Sequence, residues 1–161
     1  MPVGRASAQE LTDLDDRISA WAGREAATNP LVLAVERPEA SLADGAGAAH
    51  RWFVRLAGEE KQVCTVRLLL RERTLRSESH FVPAPEENRE QLFEYLLRLN
   101  ATLFAVRFAI GEEDAVYLVG QLPWSAVDDE ELDRLVGATY AASEQYFRPA
   151  MRIGFASRFR G

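Results

Sequence analysis

The chain has 161 residues, enough for one domain with a real core, and its 47% hydrophobic and 27% charged residues are ordinary for a globular protein. A formal net charge of -6 argues against a general nucleic-acid binder, which must neutralise phosphates, and against a peripheral membrane protein held by charge. The single cysteine, Cys64, excludes an internal disulfide framework and a multi-cysteine zinc site, and no apolar run approaches the roughly 18 residues that span a bilayer. The opening MPVGRASAQE lacks the apolar core of a signal peptide, so a cytoplasmic location is expected. Lys61 is the one lysine, and it stands in the turn-like GEEK, a poor setting for a Schiff-base or phosphate-loop lysine.

Leu11, Leu14, Ile18 and Trp21 recur at helical spacing, and Ser7 with Glu10 has the spacing of a capping box. Asn29-Pro30 ends that helix, and LVLAVE reads as a short extended piece. Residues 41–49 have small side chains and no periodicity, which predicts a mobile loop without the lysine of a phosphate-binding loop. RWFVRLAG, QVCTVRLLLRE and RTLRSESHFVP follow as three strands joined by hairpins at Gly58-Glu59-Glu60 and Glu72-Arg73. In the third, Leu75, Ser77, Ser79 and Phe81 face one way and Arg76, Glu78 and His80 the other.

The helix within FVPAPEENREQLFEYLLRLN comes next, with Pro85 expected at its first position and Glu86 and Glu87 complementing its dipole. A second hairpin follows, with Phe104, Val106, Phe108 and Ile110 expected to point inward and EED as the turn. Asp128 caps the last helix, whose apolar face runs through Leu132, Leu135, Val136, Tyr140, Tyr146 and Phe147. Pro149 and Gly154 interrupt its periodicity, so the arginine-bearing tail is expected to be only partly ordered. The reading is a single domain over 1–161, with 1–49 fitting the pattern least. The fold class is α+β, an antiparallel five-stranded sheet with helices packed on it in the order α-β-β-β-α-β-β-α.

The middle helix is unusually apolar. Leu92, Phe93, Tyr95, Leu96, Leu97, Leu99 and Leu103 cover about 200° of its surface, whereas a helix on one sheet needs about 100°. The first helix, the last helix or a second chain could cover the excess, and each leucine left in water forgoes about 1.5–3 kcal/mol. Residues that could carry chemistry are few. Glu86, Glu87, Glu90 and Glu94 read as a helix start and a wet face; His80 lies near Glu78; Cys64 alternates with Val66 and Leu68 as a core thiol. None of these forms an enzyme signature.

WFVRLAGEEK, RTLRSESHFVPAPEENREQLFEYLLRLN, FAIGEEDAVYLVGQLP and ELDRLVGATYAASEQYFRPAMRIGFAS together resemble the YbjN-domain proteins, in the form common in actinobacteria. The resemblance runs from about Trp52 to Ser157, and PAPEEN and AIGEEDAVYLVG are its most specific blocks. It implies a fold similar to type III secretion chaperones, homodimers formed through the middle helix and a neighbouring strand, and a role in sensory transduction or stress regulation without enzyme activity. The combined expectation is a non-catalytic, dimeric protein-binding module, an adaptor or regulator, without cofactor or metal, membrane or nucleic-acid partner. Leu96, Leu99, Leu103, Phe104 and Phe108 are its expected self-association residues. The competing expectation is a small-ligand or metal-binding enzyme or sensor built on Glu78, His80 and the Glu86/Glu87 cluster.

Overall fold

In a computed structural model that describes residues 4–38 and 50–158, the first helix, α1 (Ala8–Thr28), opens with the expected capping box. The Ser7 hydroxyl accepts from the Glu10 N–H at 3.1 Å, and the Glu10 carboxylate accepts from the Ser7 N–H at 3.0 Å. The loop expected at 41–49 lies outside the described residues, as do the last three residues of the tail.

The strands are β1 (Val32–Glu36), β2 (Arg51–Ala57), β3 (Val63–Leu70), β4 (Thr74–Val82), β5 (Val106–Ile110) and β6 (Val116–Pro123). They form one antiparallel sheet in the order β1-β2-β3-β4-β6-β5. The expected count of five is therefore corrected to six: LVLAVE supplies a strand because Val35 pairs opposite Val54 and its neighbours hydrogen-bond along β2. Both expected hairpins of the β2-β3-β4 meander are present.

Alternation of side chains gives the sheet one apolar face. Trp52, Val54 and Leu56, then Val66, Leu68 and Leu70, point to that face and are almost fully buried. Ile18 and Trp21 of α1, and Leu132 and Leu135 of α3 (Asp129–Gly154), cover it and complete the core. Each such side chain contributes roughly 1.5–3 kcal/mol by leaving water. Gly120 lets α3 approach, since a Cβ there would fall 2.5 Å from Leu135 Cδ1 and 2.9 Å from Ser77 Oγ.

Three local expectations change. The middle helix, α2 (Arg89–Asn100), begins four residues after Pro85, because Asn88 sits at φ 51° and separates PEEN from the helix. The N–H groups of Glu86 and Glu87 both donate to the Gly154 carbonyl, at 3.0 and 3.1 Å, so PEEN is docked on the end of α3. Second, α3 continues through Pro149 to Gly154. Arg148 donates to Glu60 at 2.8 Å, and Ala150 and Phe155 are buried, which holds the tail that was expected to be partly ordered. Third, Phe104 does not point inward, and Ile110, on the same face as Phe108 by register, is left half-exposed. Ala105 adopts φ 64° and turns the chain, so alternation starts only at Val106, and Ile110 ends the strand beyond the helix that covers it.

Candidate partner-binding surface

The surplus apolar surface of α2 is mostly absorbed within the chain. Leu92 and Leu96 are buried, and Phe93, Tyr95, Leu99 and Leu103 are half-buried against the core between β5 and α3. Leu97 is left, 68% exposed. Ile110, 53% exposed, shares a groove with it at one end of the edge strand β5, and Phe104, 79% exposed, lies just before the other end, next to Leu122 and Leu135. A groove of about 200 Å³ runs between α2 and β5, lined by Phe93, Leu96, Leu97, Phe108, Ile110 and Val116. Of the five residues expected to mediate self-association, Phe104 lies open, Leu99 and Leu103 are partly open, and Leu96 and Phe108 sit in the chain's own core. Leu97 and Ile110 are open apolar residues of this region that the expected self-association set did not include, and Leu31 and Leu33 are open at the opposite edge of the sheet, by β1.

Asn100, the last residue of α2, fixes this region. Its amide Nδ2 donates to the Phe108 carbonyl at 3.0 Å, and its Oδ1 accepts from the Phe108 N–H at 2.7 Å. An edge strand presents unpaired backbone groups on its outer side, and here a side-chain amide satisfies a donor and an acceptor as a neighbouring strand would. The edge is occupied at its centre by the helix, while its flanks remain apolar and bare.

Of the residues of the ligand or metal reading, Glu78 and His80 line one groove of about 510 Å³, and Glu86 and Glu87 lie apart from it. Glu78 pairs with Arg67 at 3.5 Å and with Arg76 at 3.4 Å, and the His80 ring meets the edge of Tyr117 with centroids 5.5 Å apart. Glu86 and Glu87 instead hold the end of α3: Glu87 accepts from the Ser157 N–H at 2.5 Å and hydroxyl at 3.1 Å, and Glu86 pairs with Arg158 at 2.9 Å. Among the described residues no three His, Cys, Asp or Glu side chains are placed to hold a metal. Cys64 is fully buried, and burial pushes its thiol above the usual range, so it is not a thiolate nucleophile. Lys61 donates its ammonium to the His80 carbonyl and, at 3.1 Å, to the Phe81 carbonyl, where the β4-β6 register shifts. Burial lowers its pKa, but those carbonyls give it a structural use.

A polar network that sequence reasoning missed lies at the other side of the molecule. Asp15 of α1 accepts from Arg37, through Nη1 at 2.5 Å and through Nη2, and lies 2.6 Å from His50 Nδ1. Ser19 accepts from Arg37 at 3.0 Å and from the Trp52 indole at 3.1 Å, and the Arg37 guanidinium sits 4.8 Å from the centre of the Trp52 ring. Burial raises the Asp15 pKa, but the bonds and charges of Arg37 and His50 outweigh it, and the carboxyl titrates below its ordinary value. Ser19 is bonded to Arg37 and Trp52 rather than to His50, so aspartate, histidine and serine here do not form a nucleophile and its base. The available signal was Asp15 itself, an acid four residues after Leu11 and three before Ile18, on the apolar face of α1.

Comparison with known proteins bears on this surface. Residues 41–150 match the YbjN family, described as a putative bacterial sensory transduction regulator. An uncharacterised protein of Mycobacterium tuberculosis is 35% identical over 111 residues, 69% of this chain and 61% of that protein. One of Mycobacterium leprae is 32% identical over 107 residues, 66% of this chain and 58% of that protein, so the chain spans about three-fifths of the length of these relatives. Among solved structures, a chain of the ExsC-ExsE complex matches over 86% of this chain and 93% of its own, at 19% identity and a TM-score of 0.54. The HopA1-SchA chaperone-effector complex contains another, over 89% of this chain and 98% of its own, at 15% identity and a TM-score of 0.50. These likenesses show a fold shared with a chain of the ExsC-ExsE complex and with one of the HopA1-SchA chaperone-effector complex.

Proposed function

Because the chain belongs to the YbjN family, we propose that it is a non-catalytic, chaperone-like adaptor or regulator that binds protein partners and pairs with a second copy of itself through α2 and β5. Its structural neighbours are chaperones seen in complexes with proteins, which supports a protein-binding role. The observation that carries self-association is that Leu97 and Ile110, large apolar side chains, are left open around one groove between α2 and β5, with Phe104 open at the other end of β5, while the rest of α2 is covered. Two-fold pairing of equal patches is the commonest way such a surface is removed from water. The proposed surface takes Leu97 and Ile110 at the groove and Phe104 at the other end of β5, with Leu99 and Leu103 partly open, whereas Leu96 and Phe108 are buried beneath it.

Replacing Leu97 and Phe104 together by glutamate tests the pairing. Both side chains are exposed, so the fold should survive and melting should shift little. Light scattering of the wild type at micromolar concentration should give twice the chain mass, and the double variant the single mass. A monomeric wild type, or a variant that remains a dimer, sinks the assignment.

A further inference from the structure

Between the C-terminal half of α1, the turn before β1 and α3 lies a groove of about 310 Å³. From α1 come Trp21, Glu25 and Asn29, which follow one another at steps of four and so share one side of the helix. From α3 come Asp133, Gly137 and Tyr140, again on one side at steps of four and three. Leu31 and Leu56 supply apolar surface between them. The lining carries two carboxylates and no arginine, lysine or histidine.

Both carboxylates are held in place without being neutralised. The Trp21 indole donates to Asp133 Oδ1 at 2.8 Å, and the Asn29 amide donates to Glu25 Oε2 at 3.0 Å. Both donors are neutral, and neither acid has an ion pair among the described residues; Arg24, next to Glu25, is taken by Asp129. The last turn of α1 has no basic residue, so the negative end of its dipole adds to the same potential. Gly137 keeps the groove open. A Cβ there would meet nothing within 4 Å, so packing does not call for glycine in the middle of α3, where it is a poor helix former. A large side chain at that position would take up space in the groove that Gly137 lines.

We infer that this groove takes an arginine side chain of a partner protein, with its guanidinium meeting Glu25 and Asp133 and an aliphatic neighbour covering Leu31 and Leu33. A planar guanidinium forms paired hydrogen bonds to carboxylates and stacks on aromatic rings, here that of Tyr140. Leu31 and Leu33 are open along the β1 edge, so apolar area continues about 7 Å beyond the groove, more than a small amine would cover. The net charge of -6 on the whole chain attracts the same kind of partner. The inference rests on the protein-binding reading and deepens it. It uses the edge of the sheet opposite β5, so it is decided separately from self-association.

The test is an NMR titration of the isotope-labelled full chain, with the Trp21 indole N–H as reporter. The probe is a peptide Gly-Leu-Arg-Leu-Gly capped at both ends, so that the guanidinium is its one charge. The same peptide with citrulline for arginine, and capped arginine alone, serve as comparisons. The arginine peptide should shift the Trp21 indole resonance and bind about tenfold more tightly than either comparison. Glu25→Gln and Asp133→Asn, which can keep the bonds to Asn29 and Trp21, should each weaken binding severalfold, and together about tenfold or more. Gly137→Leu should abolish binding with an unchanged or higher Tm, because nothing crowds that position. Leu97→Glu should bind the peptide like the wild type even where it lowers the mass. No shift with the arginine peptide, equal binding of the citrulline peptide, or wild-type binding by Gly137→Leu or the double acid variant would each overturn the inference. Capped arginine binding as tightly as the peptide would overturn its assignment to a partner protein.

Discussion

Two helices are each fastened to the sheet by one polar residue, and the surroundings of the two fastenings are opposite. Asp15 ties α1 to Arg37 and His50, next to the β1-β2 ladder, through charged groups that meet inside the chain. Asn100 ties α2 to the edge of β5 through a neutral amide, and the ground beside it is exposed Leu97, Phe104 and Ile110. In the first region the strong groups find their partners locally, so its residues govern stability. In the second the hydrogen bonds are met but apolar area is not, so its residues govern what the chain sits against. Mutations should separate the two.

Asp15→Ala should show the largest effect. It leaves His50 and a partly exposed Arg37 without their shared carboxylate and should destabilise the chain by about 2–3 kcal/mol, at the lower end for a broken ion pair because Arg37 can reach water. For a chain of this size that is a fall in Tm of about 5–10 °C, with no change in mass. The network also has a pH signature. Its carboxyl titrates below the ordinary 3.8, so its stabilisation is complete above that pH and is lost as pH falls through the lower folded value. The Tm gap between wild type and Asp15→Asn should therefore be constant from neutral pH down to about 4 and close below it. A gap that does not narrow at all as the pH falls below 4 would show that the charge is not what Asp15 contributes.

Asn100→Ala comes second. It strips the N–H and carbonyl of Phe108 of their partner, but both lie on a sheet edge where water can reach, so the cost should be about 1–2 kcal/mol. No titrating group is involved, and the loss should be the same at pH 5 and pH 8. Hydrogen exchange reports it directly: the Phe108 amide should be protected in the wild type and exchange much faster in the variant. Equal protection in both would mean that the edge is covered by something other than Asn100.

The contrast also marks what the sequence could tell. Periodicity of two found the β2-β3-β4 meander and the inward set Leu75, Ser77, Ser79 and Phe81, because alternation in a sheet is a local property. Capping chemistry found Ser7 and Asp128 for the same reason. The surplus on α2 was legible as an amount but not as a position. Which leucine stays open depends on how α3 and β5 close over the helix, and those contacts are remote in sequence. His50 was unreadable because its partner lies 35 residues away, and Asn100 because an asparagine at a helix end ordinarily signals a cap. The start of α2 was misplaced because proline and two acids satisfy the local rule, while the Gly154 carbonyl draws the same N–H groups elsewhere.

The smallest effect separates the backbone of the apolar region from its side chains. Ala105 holds φ 64°, a conformation that costs an L-residue roughly 1–2 kcal/mol and a glycine almost none. Glycine also loosens the unfolded chain by about 0.4–1 kcal/mol, so Ala105→Gly should be a net gain of only about 0.5 kcal/mol, or 1–2 °C in Tm. Valine, which tolerates positive φ worse than alanine, should instead destabilise by more than 1 kcal/mol or force the turn to relax. The two substitutions differ in what happens to Phe104. With glycine the turn persists, the ring stays out and the mass by light scattering should match the wild type. With valine a relaxed turn would return Phe104 to the strand's alternation and weaken pairing. If valine is tolerated without loss of stability or mass, the left-handed turn is not what presents Phe104, and the exposed position of that ring has to be explained by its neighbours.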